Sequence, residues 1–226
     1  MSPVAARLER HLRRLRELRG PGRTVPARLA ELKRWQAQRL QRTYADYAAQ
    51  PRYAAATSFF IDDLYGAKDF SSRDQAMLRI LPVMTRMLPE SAVETAALAI
   101  ELEALSEDLD HQLAQALAPG PITEASYADA YRASSKREDR ERQVELIQAT
   151  GRRLDELVQK PLVGQMLKMM RRPAKLAGLA DLQDFLERGY GAFRAMEGAG
   201  EFLDAVRERE TKLLSALFSR AARPFS

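Results

Sequence analysis

Carboxylates and histidines are the residues of this chain best equipped for chemistry. Glu94, Glu101 and Asp108 recur every seven residues, and His11 and His111 are the two histidines. Asp108 and His111 lie three apart, so on a helix they share a face, as in the Glu-x-x-His element of di-iron bundles. Such a centre needs that element twice and two further carboxylates, and the sequence holds one copy. His111 also continues the apolar stripe Val93, Ile100 and Ala104, which favours a hydrogen-bonded, half-buried imidazole over a haem ligand. Paired carboxylates can move protons, but the heptad spacing sets neighbours roughly 10 Å apart along a helix axis. That is too far for a tight pair. These acids read instead as a solvated edge, or as docking points for arginines of the N-terminal arm.

Cysteine is absent, which removes disulfides, thiolate metal sites and cysteine nucleophiles together. There is no Gly-x-Ser-x-Gly elbow, no phosphate-cradling glycine loop and no His-Glu-x-x-His. No catalytic residue is assigned, and neither a metal nor another cofactor is expected.

The stretch richest in aromatics and acids runs from Ser58 to Asp74 around Gly66. On a wheel of about 100° per residue, Tyr53, Ala56, Thr57, Phe60, Ile61 and Leu64 share one side, a core stripe. Asp62 points the opposite way, and Phe59 leaves the stripe to lie between Asp62 and Asp63. Gly66 stands where a left-handed C-cap is expected, with Lys68 just beyond it. Ser71 and Asp74 have capping-box spacing for a following helix, with Phe70 packed under the connection. A large apolar side chain on a polar face needs a partner, from this chain or another. The candidate recognition surface is therefore Phe59, Asp62, Asp63, Tyr65, Asp69 and Arg73. The alternative is a core corner whose acids are solvated or capping.

Phe59 to Tyr65, FFIDDLY, resembles the signature of the uncharacterised bacterial FFLEELY motif family. Ile61 replaces its Leu, and Asp62 and Asp63 replace its Glu pair, so polarity and charge are kept. The family's following glycine and DF-x-x-RD segment are matched by Gly66, by Asp69 and Phe70, and by Arg73 and Asp74. The resemblance continues through LPESAVETAALAIELEALSEDLD to the C-terminal helices. It implies a shared fold; it supplies no activity and no catalytic residues.

The 226 residues carry a net charge of +5, with 46% hydrophobic and 30% charged residues, a balance that supports a packed core. The charge is unevenly placed. Residues 1–42 carry +9, the rest −4, and no Lys or Arg stands between Arg86 and Arg132. A basic arm thus precedes an acidic middle. With Trp35 and Tyr44 that arm could track a phosphate backbone, and a basic amphipathic helix can also lie on an anionic membrane. Packing on the rest of the chain explains Leu8, Leu12 and Leu15 more simply. No bilayer-spanning run and no apolar leader are found. Cytoplasmic localisation is expected, and the preference for Arg over Lys, with many Ala, suggests a GC-rich bacterial genome.

The apolar pattern is helical almost throughout, with no strand-period segment and no fixed repeat. Helices are expected over 3–19, from Pro26 to Gln50, over 52–65, over 71–88 with a kink at Pro82, and over 90–117. Further helices are expected near 124–131, after the alternating charges 137–142, from Pro173, and after the turn at Glu197, Gly198, Ala199 and Gly200. The 90–117 helix is apolar on two sides, which places it between layers. Met166, Met169 and Met170 read as core filler or, as methionines sometimes are, an adaptable binding surface. The expected fold is all-α, about seven or eight helices around the 90–117 helix. One domain over 1–226 would comprise a basic arm (1–50), motif-bearing helices (52–118) and C-terminal helices (143–220). The expected function is a non-enzymatic helical binding or interaction protein with a protein partner. The alternatives are a nucleic-acid-associated basic protein, or an enzyme or cofactor binder with an unrecognised pocket. Oligomeric state is open.

Overall fold

Leucines at helical spacing and Pro and Gly at the junctions dictate an all-α architecture. The structure is a computed structural model that describes residues 2–19, 25–64, 76–82, 86 and 89–225, the side chains of 63 and 64 excepted. Its elements are α1 (Pro3–Arg19), α2 (Leu29–Thr43), α3 (Ala45–Ala48), α4 (Pro51–Phe59), a π-turn (Phe60–Leu64), α5 (Glu90–Ala116), α6 (Glu124–Ser134), α7 (Arg137–Val158), α8 (Pro161–Leu176), α9 (Ala180–Ala195) and α10 (Gly200–Phe218). Residues 76–82 are also helical. The described helices outnumber the expected seven or eight because three junctions cut more finely: Tyr44 separates α2 from α3, α4 widens into the π-turn, and Pro161 opens α8 as a helix of its own. No strand occurs among the described residues.

α5 is the central element. α1 lies along one side of it, α7 along another, and α6 returns against its C-terminal half. Its two apolar stripes feed separate clusters, as a helix between layers should. Leu8, Leu12 and Leu15 of α1 meet Val93, Ala97, Ile100 and Ala104, with Leu81. Leu113 and Leu117 meet Leu29, Leu32, Tyr127, Tyr131 and Leu217. A third cluster joins α2, α3 and α4 to α7, α9 and α10 through Tyr44, Tyr53, Phe59, Ile147, Phe193 and Phe202.

Pro173 does not start a helix, contrary to expectation. Pro161 does, at the first turn of α8, where its missing N–H costs nothing. Pro173 sits inside the last turn, and the stop comes later. Gly178 adopts φ +68°, the Gly178 N–H bonds the Lys175 carbonyl at 3.1 Å, and the Leu179 N–H bonds the Ala174 carbonyl at 2.8 Å. That pair of bonds is a Schellman C-cap, which favours glycine at the left-handed position. The predicted caps at Gly66, Lys68, Ser71 and Asp74, and the packing of Phe70, lie outside the described residues.

Candidate interaction surface

The six residues singled out in the motif divide between interior, surface and undescribed positions. Phe59 is buried, 6% exposed, and its placement on a polar face is corrected. Its ring centroid lies 5.3 Å from that of Phe185, and it covers Gly189, where an added Cβ would come within 2.9 Å of its Cζ. The partner its position calls for is supplied by α9 of the same chain. Phe60, on the predicted core stripe, is only partly buried. Asp62 is exposed and accepts a hydrogen bond from Ser58 Oγ at 2.8 Å. The Asp63 side chain, Tyr65, Asp69 and Arg73 lie outside the described residues.

Of the acids at heptad spacing, Asp108 and Glu101 receive the arm, while Glu94 meets α7 instead. Arg14 makes a bidentate contact with Asp108, 3.0 and 2.6 Å. Arg7 and Arg142 approach Glu101 at 4.0 and 2.7 Å, and Arg153 approaches Glu94 at 3.6 Å. Sequence reasoning missed Glu107, which lies beside that heptad and is only 3% exposed. It is met by Arg19 at 2.6 Å and Lys33 at 2.9 Å, and by His111 Nε2 at 3.4 Å. Burial alone would raise the Glu107 carboxyl. The His111 hydrogen bond and the charges of Arg19 and Lys33 outweigh it and hold the group well below the usual range. The aromatics of the arm are occupied as well. Trp35 stacks on Tyr127 with centroids 4.3 Å apart, and buried Tyr44 donates its hydroxyl to Glu210 at 2.9 Å.

A polar chamber lies inside the helices. Gln36, Arg39, Asp110, Tyr127, Tyr131, Arg140 and Glu210 are among the side chains lining a cavity of about 50 Å³. Arg39 bonds Glu210 at 2.6 Å, and Gln36 donates to Asp110 at 2.9 Å. Arg140 reaches Ser135 Oγ at 3.0 Å and lies 4.3 Å over the Tyr131 ring. Burial raises Asp110 against the pull of Lys33, Gln36 and Arg140, and raises both phenols. Arg39 Nε has no hydrogen-bond partner among the described residues. The space suits water rather than a metabolite, whose pockets are several-fold larger. A larger open depression, about 670 Å³, lies where Leu78, Leu81 and Pro82 face Glu9, Arg13, Arg16 and Arg86. Among the described residues no three His, Asp or Glu side chains group as a metal cage.

The outer side of α8 differs from every surface above. Leu162 is 67% exposed, Met166 49%, Met169 77%, Met170 50% and Leu176 89%. At about 100° per residue these five fall within roughly a third of the helix circumference, so they form one ridge. The opposite side is anchored. Ala174 is buried, Val163 and Leu167 half-buried. Gln183 donates to the Leu167 carbonyl at 2.7 Å. Gly164 admits the Tyr190 hydroxyl, which would stand 2.5 Å from an added Cβ. Arg171 grips Glu187 with contacts of 2.6–2.9 Å. Hydrogen bonds from Arg171, then Gln183, lower the Glu187 carboxyl to about 2. Lys168, Arg172 and Lys175 have no ion pair among the described residues, and α8 contains no acid. The methionine run was legible as a possible surface. Its exposure was not, because it depends on α9 covering only one side.

Fold and surface together define an all-α helical protein with one uncovered apolar–basic helix face. The chain belongs to the family described as Domain of unknown function (DUF8198), whose model matches residues 16–224. No curated protein and no solved structure matches it. No helix among the described residues is long and apolar enough to cross a membrane.

Proposed function

We propose that the protein is a non-enzymatic helical interaction protein whose binding face is the outer side of α8. The observation that carries this is the exposed ridge of Leu162, Met166, Met169, Met170 and Leu176. Contiguous apolar surface of this kind marks interaction sites, and methionine suits a face that adapts to its partner. The rigid anchoring of the opposite side to α9 fixes which way the ridge points. A photo-crosslinking residue at Met169, in cells producing the protein, should give a discrete adduct by intact-mass analysis. The same residue at exposed Asp204 of α10 should give none. Equal yields at the two positions, or no adduct at Met169, would remove the binding face.

A further inference from the structure

We infer that the occupant of the α8 face is an anionic bilayer surface; this rests on the binding role proposed for that face. The helix is 16 residues long, about 24 Å, and it is held lengthwise against α9 through Gly164, Leu167 and Arg171. Its free side therefore presents a full-length ridge rather than a helix end. On one flank Arg172 stands about 40° beyond the edge of the apolar stripe, with Lys168 and Lys175 about 40–60° further round, while the other flank turns into the protein. Lys160 stands at the N-terminal end, and no acid interrupts the helix. Leucine and methionine entering the acyl boundary, with long cations reaching up to headgroup phosphates, is the geometry of an interfacial helix.

Charge decides among occupants. A second copy related by a two-fold axis would set these unpaired cations against their own copies, which disfavours self-association. Arg171 is neutralised by Glu187, and Lys168 acts on the same carboxylate, so Arg172 is the cation beside the ridge that such a surface would meet first. A planar anionic surface meets the ridge and Arg172 together, with Lys168 and Lys175 reaching toward it on long stems, and needs no matching groove. The attraction should be salt-sensitive, because exposed charges are screened over about 10 Å at 0.1 M salt.

The full chain should be sedimented with vesicles of phosphatidylcholine alone and of phosphatidylcholine with one quarter phosphatidylglycerol. Partitioning is expected to be at least tenfold stronger on the anionic vesicles and to fall severalfold in high salt. Met169→Asp and Arg172→Glu should each reduce it about tenfold or more with helicity unchanged by circular dichroism. Arg16→Glu and Arg152→Glu, on α1 and α7, should leave it unaltered. No preference for anionic vesicles, or equal loss from the α1 and α7 variants, overturns the assignment. A protein adduct at Met169 without vesicle binding overturns the bilayer and leaves the binding face standing. Absence of both overturns the two together.

Discussion

α1 and α8 are the same kind of sequence with opposite fates. Both are short basic amphipathic helices carrying several cations on the polar side. In α1 the apolar side is gone from water: Leu8, Leu12 and Leu15 are fully buried. Arg14 and Arg19 close on Asp108, Glu103 and Glu107. In α8 the apolar ridge is exposed and Lys168, Arg172 and Lys175 form no ion pair among the described residues. The difference lies in the neighbour. α5 offers α1 a small-residue seam, Ala97 and Ala104 beside Val93 and Ile100, with acids in register along its edge. α9 offers α8 a seam on one side only. An amphipathic pattern therefore tells which side of a helix is apolar; a complementary second helix tells whether that side belongs to the fold.

Removing α1 should have the largest effect. Loss of residues 1–19 would expose the seam and take Arg14 from Asp108 and Arg19 from Glu103 and Glu107, and more than about 5 kcal/mol of unfolding stability should go. A truncation that melts like the full chain would put α1 in the same class as α8.

Phe59 sharpens the contrast inside the aromatic motif. Buried against Phe185 and Gly189, it should cost roughly 3–5 kcal/mol as Phe59→Ala, as buried aromatics do. Partly buried Phe60 should cost less. Gly189→Ala should also destabilise, since the new methyl must displace the ring. A Phe59→Ala loss under about 1 kcal/mol would return that residue to the surface.

Two carboxylates of α5 separate by pH. Glu107 is depressed, so its stabilising contribution is full above the unfolded glutamate value of about 4.3 and is lost as pH falls through its lowered folded value. Asp110 is raised by burial. Its contribution is full below the unfolded aspartate value of about 3.9 and is lost as pH rises through its raised folded value. Glu107→Gln, which leaves Arg19 and Lys33 without their buried anion, should cost about 3–5 kcal/mol at neutral pH and flatten the acid limb of a stability–pH curve. Asp110→Asn should be neutral or stabilising at pH 7, and a large loss there would reverse the assignment. Asp110 lines the polar chamber and Glu107 faces the α1 side, three residues away. Environment, not residue type, sets the sign.

Much of this was legible in the sequence. The limits of α1 and of α5 followed from leucine spacing and from Pro89 and the Ala118–Pro121 breaks. Carboxylates at Glu101 and Asp108 were legible as docking points because the arm carried unmatched arginines. Phe59 was not, because its burial depends on a missing side chain at Gly189, far away in the chain. Glu107 was missed because it lies off the heptad of acids, and its three partners, Arg19, Lys33 and His111, come from two other helices and its own. The break after α8 was misplaced at Pro173 because a proline near a C-terminus looks like one near an N-terminus until Gly178 fixes the cap.

The smallest predicted effect is also the most decisive when set beside a large one. Denaturant melts of Leu12→Asp and Met169→Asp ask whether two similar faces share one role. Leu12→Asp buries a charge where none can be paired and should abolish cooperative folding or cost well above the 2–5 kcal/mol of a buried leucine truncation. Met169→Asp should stay within about 0.5 kcal/mol of the parent, as exposed positions do. A comparable collapse in both would mean that the α8 ridge is core, and no binding face would remain.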